Sequence, residues 1–176
     1  MVRLFIGIFI PENLKDKTVS IQNELSRLPI KCKFVERENL HISLSFVGEV
    51  SDSEAEKIAA KLDSICATYK KFEVRISDVK LIPSKNYVRV IALDVFNGVL
   101  KTISKHIEQE IGGDVKPPHL TLCRVKSVVD KNAFLEKMPL IDFSVGSFLV
   151  QSIHTIQSKL QKTGPVYTGL HESFLG

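Results

Sequence analysis

Twice in this chain a histidine stands two residues ahead of a hydroxyl side chain, each time inside an alternation of apolar and polar residues. The first stretch is Leu40-His41-Ile42-Ser43-Leu44-Ser45-Phe46-Val47-Gly48, and the second is Pro118-His119-Leu120-Thr121-Leu122-Cys123-Arg124. A period of two belongs to a β-strand with one buried face. It predicts that Leu40, Ile42, Leu44 and Phe46 point inward while His41, Ser43 and Ser45 point outward. In the second stretch Leu120 and Leu122 form the buried side, with His119, Thr121 and Cys123 on the presenting side. Strict alternation sends Arg124 to the buried side with Leu122, unless a bulge re-aims it. Two such strands leave two His-hydroxyl pairs free to face one cleft.

The rest of the chain repeats part of this order. Val2 to Ile10 is an apolar, β-branched run that reads as a central strand. Leu14, Thr18, Ile21, Leu25 and Leu28 then recur at helical spacing up to Pro29. A short strand over residues 30–35 leads into the first His strand. Ser51-Asp52-Ser53-Glu54 has the form of a capping box, and the helix it opens places Cys66 on an apolar stripe, as a core thiol. Phe72 to Ile76, continued after a bend, and Tyr87 to Val95 read as strands around the turn 83–86. Asn97 caps a helix that ends at Gly112-Gly113, and Lys116-Pro117-Pro118 fixes an extended approach to the second His strand. Strand, helix and His strand therefore occur twice, and Val88-Arg89-Val90 echoes Val2-Arg3-Leu4, which points to duplicated lobes. Asp130 caps a short helix ending at Pro139. Phe143 to Val145 and Phe148 to Gln157 read as further strands, and the remaining tail reads as turn-rich. Eight or so strands, about four helices and no regular βαβ alternation argue α+β with mainly antiparallel sheets.

At 176 residues the chain reads as one domain, long enough to bury a core without disulfides or metal. Twenty-four Lys and Arg against 20 Asp and Glu give a net charge of +4, a mild excess that suits a polyanionic partner. Three widely spaced cysteines with no C-x-x-C suggest neither a disulfide framework nor a zinc knuckle, and favour a reducing cytoplasm. The apolar N-terminus ends at Pro11-Glu12 without a small-residue cleavage site, so it reads as a strand and not as a signal peptide. No membrane partner is expected.

Spacing alone does not identify the chemical histidines, because His171-Glu172-Ser173 matches it too. That tail copy lacks the strand alternation. His106, on a helix edge, and His154, in a late strand, read as structural. Two opposed histidines suit acid–base catalysis near neutral pH, one donating a proton and the other accepting one. Hydroxyls two residues further on, about 6.5–7 Å along the strand, suit the nonbridging oxygens of a phosphodiester. Catalytic zinc needs three protein ligands, and neither motif supplies a third at short spacing. No cofactor is called for. Cys123 has no third group to activate it and reads as a pocket wall.

With these flanks, the paired motifs resemble the signatures of the 2H (two-histidine) phosphoesterase superfamily, and in particular the RNA 2′,3′-cyclic phosphodiesterases, also called 2′-5′ RNA ligases. Arg3 to Pro11, Ser158-Lys159-Leu160 and Gly164-Pro165-Val166-Tyr167 extend the likeness over most of the chain. Ser43 departs from the more usual Thr, keeping the hydroxyl and losing a methyl that stiffens χ1. The resemblance implies a bilobal fold, two antiparallel sheets lining a cleft, and metal-independent opening of an RNA 2′,3′-cyclic phosphate to a 2′-phosphate. A monomer is expected. The resemblance further implies His41 as proton donor, His119 as proton acceptor, and Ser43, Thr121 and Arg124 as phosphate ligands. Arg3, Arg37, Lys116, Phe9 and Tyr167 are further candidates for RNA contact, each weighed against an ordinary surface or core role. The alternatives are a relative acting on a small nucleotide-derived cyclic phosphate, and a non-catalytic RNA-binding or tRNA-processing accessory.

Overall fold

A computed structural model describes residues 1–176. The chain forms β1 (Val2–Phe9), α1 (Glu12–Leu25), β2 (Ile30–Phe34), β3 (His41–Val50), α2 (Asp52–Ala67), β4 (Phe72–Ser84), β5 (Tyr87–Phe96), α3 (Gly98–Glu110), β6 (Asp114–Val128), α4 (Lys131–Lys137), β7 (Gly146–Val150), β8 (Ser152–Gln161) and β9 (Gly164–Phe174). The local signals act as expected where they are strong. Ser51 and Glu54 close a reciprocal capping box on α2. Asn97 Oδ1 accepts from the amides of Val99 and Leu100 at the start of α3, and Asp130 accepts from Ala133 at the start of α4. Leu14, Thr18, Ile21 and Leu25 form the buried stripe of α1.

All pairings are antiparallel, in the order β7-β4-β5-β6-β3-β1-β8-β9, with β2 beside the later part of β6. The sheet is curled and the helices pack outside it. The expected pair of sheets is realised as two halves joined along β3 and β6. The halves mirror each other in topology: each His strand lies at the centre, and its outer neighbour is the strand that opens its repeat, β1 for β3 and β5 for β6. The echo of Val2-Arg3-Leu4 in Val88-Arg89-Val90 thus falls on equivalent strands. Leu4, Ile6, Leu40, Ile42, Leu93, Leu100, Ile103, Leu120 and Leu122 are among the buried side chains of the core.

Three stretches depart from the pattern reading. Phe148 to Gln157 is not one strand: it breaks at Gln151, and its two parts, in β7 and β8, join opposite halves of the sheet, a crossing that an unbroken apolar alternation does not reveal. Residues 143–145 are not a strand: Asp142 accepts from the Ser144 amide in a local turn, and pairing with β4 begins at Gly146. Phe143 and Val145 are buried nonetheless, so the alternation signalled burial and not ladder pairing. The tail is not turn-rich. β8 and β9 form a long hairpin closed by Lys162-Thr163, with Gln161 opposite Gly164. β9 is the last strand of the sheet and largely exposed, so few of its positions needed to be apolar and the alternation was faint.

Candidate active site

β3 and β6 run side by side with Ile42 opposite Leu120 and Ser43 opposite His119. Continuing that register by one residue sets His41 beside Thr121. The four polar side chains therefore form a cross-strand square, each histidine next to the other motif's hydroxyl. The two histidines occupy a diagonal of about 7–8 Å between backbones, room for a phosphate between the rings. All four line a cleft of about 610 Å³, which Arg3, Arg124 and Tyr167 also enter.

The two rings are held alike. His41 Nδ1 donates to the Asn39 carbonyl at 2.7 Å, and His119 Nδ1 donates to the Pro117 carbonyl at 2.9 Å, each two residues upstream. With the proton fixed on Nδ1, Nε2 is left to do chemistry. At His41 it accepts from the Ser43 hydroxyl at 2.9 Å. Asn39 also acts through its side chain, whose buried amide donates to the Pro165 carbonyl at 2.8 Å and ties β9 to the turn that orients His41. Phe5 and Tyr167 pack on the His41 ring with centroids 4.9 and 5.2 Å away.

Burial pushes His41 down to about 4, against the pull of its bond to Asn39, and the nearby His119 and Arg124 charges add to the depression. His119 is lowered as well, chiefly by burial, with its bond to Pro117 opposing. Asp94, opposite His119 on β5 and paired with Lys80 at 3.3 Å, partly offsets the Lys80 charge there. The unliganded cleft at neutral pH thus holds two neutral imidazoles, where the sequence reading had one of them charged.

The depressed His41 makes stability depend on pH. An unfolded histidine takes up a proton near pH 6.5, whereas His41 in the fold resists protonation until about pH 4. Between these values the unfolded state binds more protons, so stability falls as pH falls. Above 6.5 the effect vanishes. Its full size is about 3 kcal/mol for His41, at 1.36 kcal/mol per unit. Urea unfolding at pH 7.5 and 4.5 should show a clearly smaller loss in His41→Gln than in the parent. Equal losses would contradict this environment for the ring.

Simple alternation fails after each hydroxyl, in the same way in both strands. Against β1, Ser43 pairs with Gly7 and Ser45 with Ile6, leaving Leu44 as an extra residue. Against β5, Thr121 pairs with Ala92 and Cys123 with Ile91, leaving Leu122 as the extra residue. Each bulge reverses the faces that follow it. Ser45, expected to present outward, is buried and donates to the Gly112 carbonyl at 2.9 Å. Phe46, expected in the core, is 42% exposed and lies under the Arg3 guanidinium. Cys123, read from sequence as a pocket wall, is fully buried, and burial holds its thiol protonated. Arg124 turns into the cleft.

The family described as LigT-like phosphoesterase matches this chain over residues 8–92. The RNA 2′,3′-cyclic phosphodiesterase of Methanocaldococcus jannaschii is 32% identical, with 97% of this chain and 99% of that protein aligned. The chain belongs to the LigT-like RNA 2′,3′-cyclic phosphodiesterase family. The RNA 2′,3′-cyclic phosphodiesterase of Methanothermobacter thermautotrophicus is similar at 30% identity, over 96% of each chain. The fold is that of Escherichia coli LigT complexed with 3′-AMP, with a TM-score of 0.79, 21% identity, and 99% and 98% of the two chains covered.

In this LigT-like chain the remaining candidates separate by position. Lys116 lines the cleft with Arg3 and Tyr167. Phe9 instead packs edge-on against His154, and Arg37 pairs with Glu12 and Asp16 on the surface. His171 binds Asp63 at 2.8 Å outside the cleft, and His106 meets the Tyr69 hydroxyl at 3.2 Å. The sequence reading missed Asn39 and Pro117, because a backbone carbonyl that orients a ring leaves no mark in residue type. No group of three or more His, Cys, Asp and Glu side chains is placed to hold a metal ion.

Proposed function

We propose that the protein opens RNA terminal 2′,3′-cyclic phosphates to 2′-phosphates without a metal, using His41 as acid and His119 as base. The observation that carries this reading is the pair of Nδ1-anchored imidazoles set diagonally about one cleft, with a hydroxyl beside each. A neutral His119 with its proton on Nδ1 has the Nε2 lone pair a general base needs. Water attacks phosphorus and passes its proton to His119 Nε2. The bond from phosphorus to O3′ breaks, and O3′ takes the proton from His41 Nε2. His41 has to be charged for this step, and a bound phosphodiester anion beside its Nε2 favours that charge. Ser43, Thr121 and Arg124 hold the nonbridging oxygens, Arg124 through charge-assisted hydrogen bonds. With an RNA 5′-hydroxyl in place of water, the same path forms a 2′-5′ linkage and frees the 3′-hydroxyl, and its reverse opens that linkage by the same groups.

Family membership supports the substrate, since the relatives named above are RNA 2′,3′-cyclic phosphodiesterases. The reading is tested with a 2′,3′-cyclic mononucleotide and a cyclic-ended oligonucleotide, with and without EDTA. The expected result is chelator-resistant formation of the 2′-phosphate, faster on the oligonucleotide. Loss of activity in EDTA would overturn metal independence, and a 3′-phosphate product would overturn the assigned leaving group. A preference for the mononucleotide would favour a small cyclic phosphate as substrate.

A further inference from the structure

The bulge at Leu122 is what brings Thr121 and Arg124, three residues apart, onto the same face of β6. It coincides with a change of partner: β6 pairs with β3 up to Leu120 and with β2 from Cys123 onward. At that junction Leu122 stands out of the ladder with β5, while its carbonyl faces the β2 edge of β6, where the Val35 amide, one step beyond the Phe34–Cys123 pair, donates to it at 3.0 Å. Gln22, on the buried stripe of α1 and only 6% exposed, donates through Nε2 to both the Leu122 carbonyl and the Val35 carbonyl, each at 2.9 Å. One carboxamide therefore clamps the bulge and the chain leaving β2. Gln22 lies 100 positions from Leu122 and does not line the cleft.

We infer that Gln22 is a positioning residue for the phosphate site, holding the Leu122 bulge in the form that aims Arg124 into the cleft. This rests on the reading of the cleft as a phosphate site. A regular strand through Leu122 would return Arg124 to the opposite face. An apolar side chain at position 22 would leave the Val35 carbonyl without its buried donor, and the local backbone would shift to find one. Anion binding would suffer through Arg124, with no change in any group that touches the anion.

The test compares the parent, Gln22→Met, Arg124→Ala and the double variant. Binding of inorganic phosphate is followed by titration calorimetry, and turnover of a 2′,3′-cyclic nucleotide by steady-state kinetics. Gln22→Met should weaken phosphate binding and raise KM about tenfold, the worth of one charge-assisted hydrogen bond. The larger share should appear in KM and not in kcat. In the Arg124→Ala background the same change should cost less than about twofold, because residues acting through one another are not additive. A merely structural loss would reduce the active fraction, lowering kcat at constant KM. Thr18→Val provides that control: it removes the buried bond from Thr18 Oγ1 to the Leu14 carbonyl on the same helix and should lower Tm without changing phosphate affinity. If Gln22→Met does not fold, Gln22→Asn, which draws the carboxamide back by one methylene, is read in the same way. Equal cost in the parent and Arg124→Ala backgrounds would overturn the inference. So would unchanged phosphate affinity and KM in a folded Gln22 variant with normal turnover, which leaves the phosphodiesterase reading intact. Phosphate binding that depends on both Gln22 and Arg124, in a protein without turnover, would uphold the inference while removing that reading.

Discussion

His41→Ala and His119→Ala are each expected to lower kcat/KM for a 2′,3′-cyclic phosphate by about 10²- to 10⁴-fold, the range of general acid–base catalysis. The roles differ, and a change of leaving group separates them. A nitrophenyl phosphodiester expels a stable anion that needs no proton, so it should recover much of the loss in His41→Ala and little of that in His119→Ala. Recovery in the opposite variant would exchange the two roles. Near-normal turnover in either variant would remove the mechanism. His171→Ala, whose ring pairs with Asp63 outside the cleft, should behave like the parent. The pH profile carries the same logic. In the free enzyme His41 holds its proton only to about pH 4, and burial depresses His119 as well. kcat/KM should therefore peak on the acid side of neutrality, falling at lower pH as His119 is protonated and at higher pH as His41 is neutralised. A bound phosphate anion raises both groups, so the kcat profile should lie at higher pH than that of kcat/KM. Coincident profiles would contradict stabilisation of the imidazolium by the substrate.

Gly113→Ala is expected to be the most damaging single methyl added near the site. Gly113 has φ +92°, and a Cβ there would come within 2.5 Å of Ser45 Oγ and 2.8 Å of the Phe46 carbonyl. Left-handed backbone strain and overpacking against a main-chain oxygen together predict a loss of about 2–4 kcal/mol. For a chain of this size that lowers Tm by roughly 5–15 °C. The same close approach bears on function. The Gly112 carbonyl takes the buried Ser45 hydroxyl, and β6 starts with Asp114 opposite Phe46, so this glycine pair anchors the entry of β6 beside β3; the pairing then shifts before His119 comes opposite Ser43. Gly113→Ala should lose activity even where it remains folded. Gly98→Ala, with open space around the new methyl, is the matched control. Equal thermal stability of the two variants would show that this close approach carries no such strain.

The elements written in local chemistry were legible from the sequence. Capping residues at Ser51, Asn97 and Asp130 begin helices where their side chains can accept orphan amides, and the apolar stripe of α1 follows from helical spacing alone. The duplicated order of strand, helix and His strand predicted the mirrored halves, and it singled out His41, Ser43, His119 and Thr121 while setting His171 aside. Those conclusions need only the identities of near neighbours.

The register between β3 and β6 was decided by tertiary structure, because pairing depends on which strand lies alongside and on the Gly112-Gly113 approach to Ser45. The same holds for the faces beyond each hydroxyl. Leu44 and Leu122 are apolar whether or not a strand bulges at them, so residue type gave no warning that Ser45 and Cys123 would turn inward or that Phe46 would turn outward, and for Arg124 the family resemblance, not the alternation, pointed to the cleft. A bulge forms where the backbone finds better partners off the ladder. For Leu122 that partner is the Gln22 side chain, 100 positions earlier in the chain, added to the Val35 amide that continues the β2 pairing. The sequence singled out the two histidines, and the fold, through backbone carbonyls and two extra residues, determined where their rings and the arginine point.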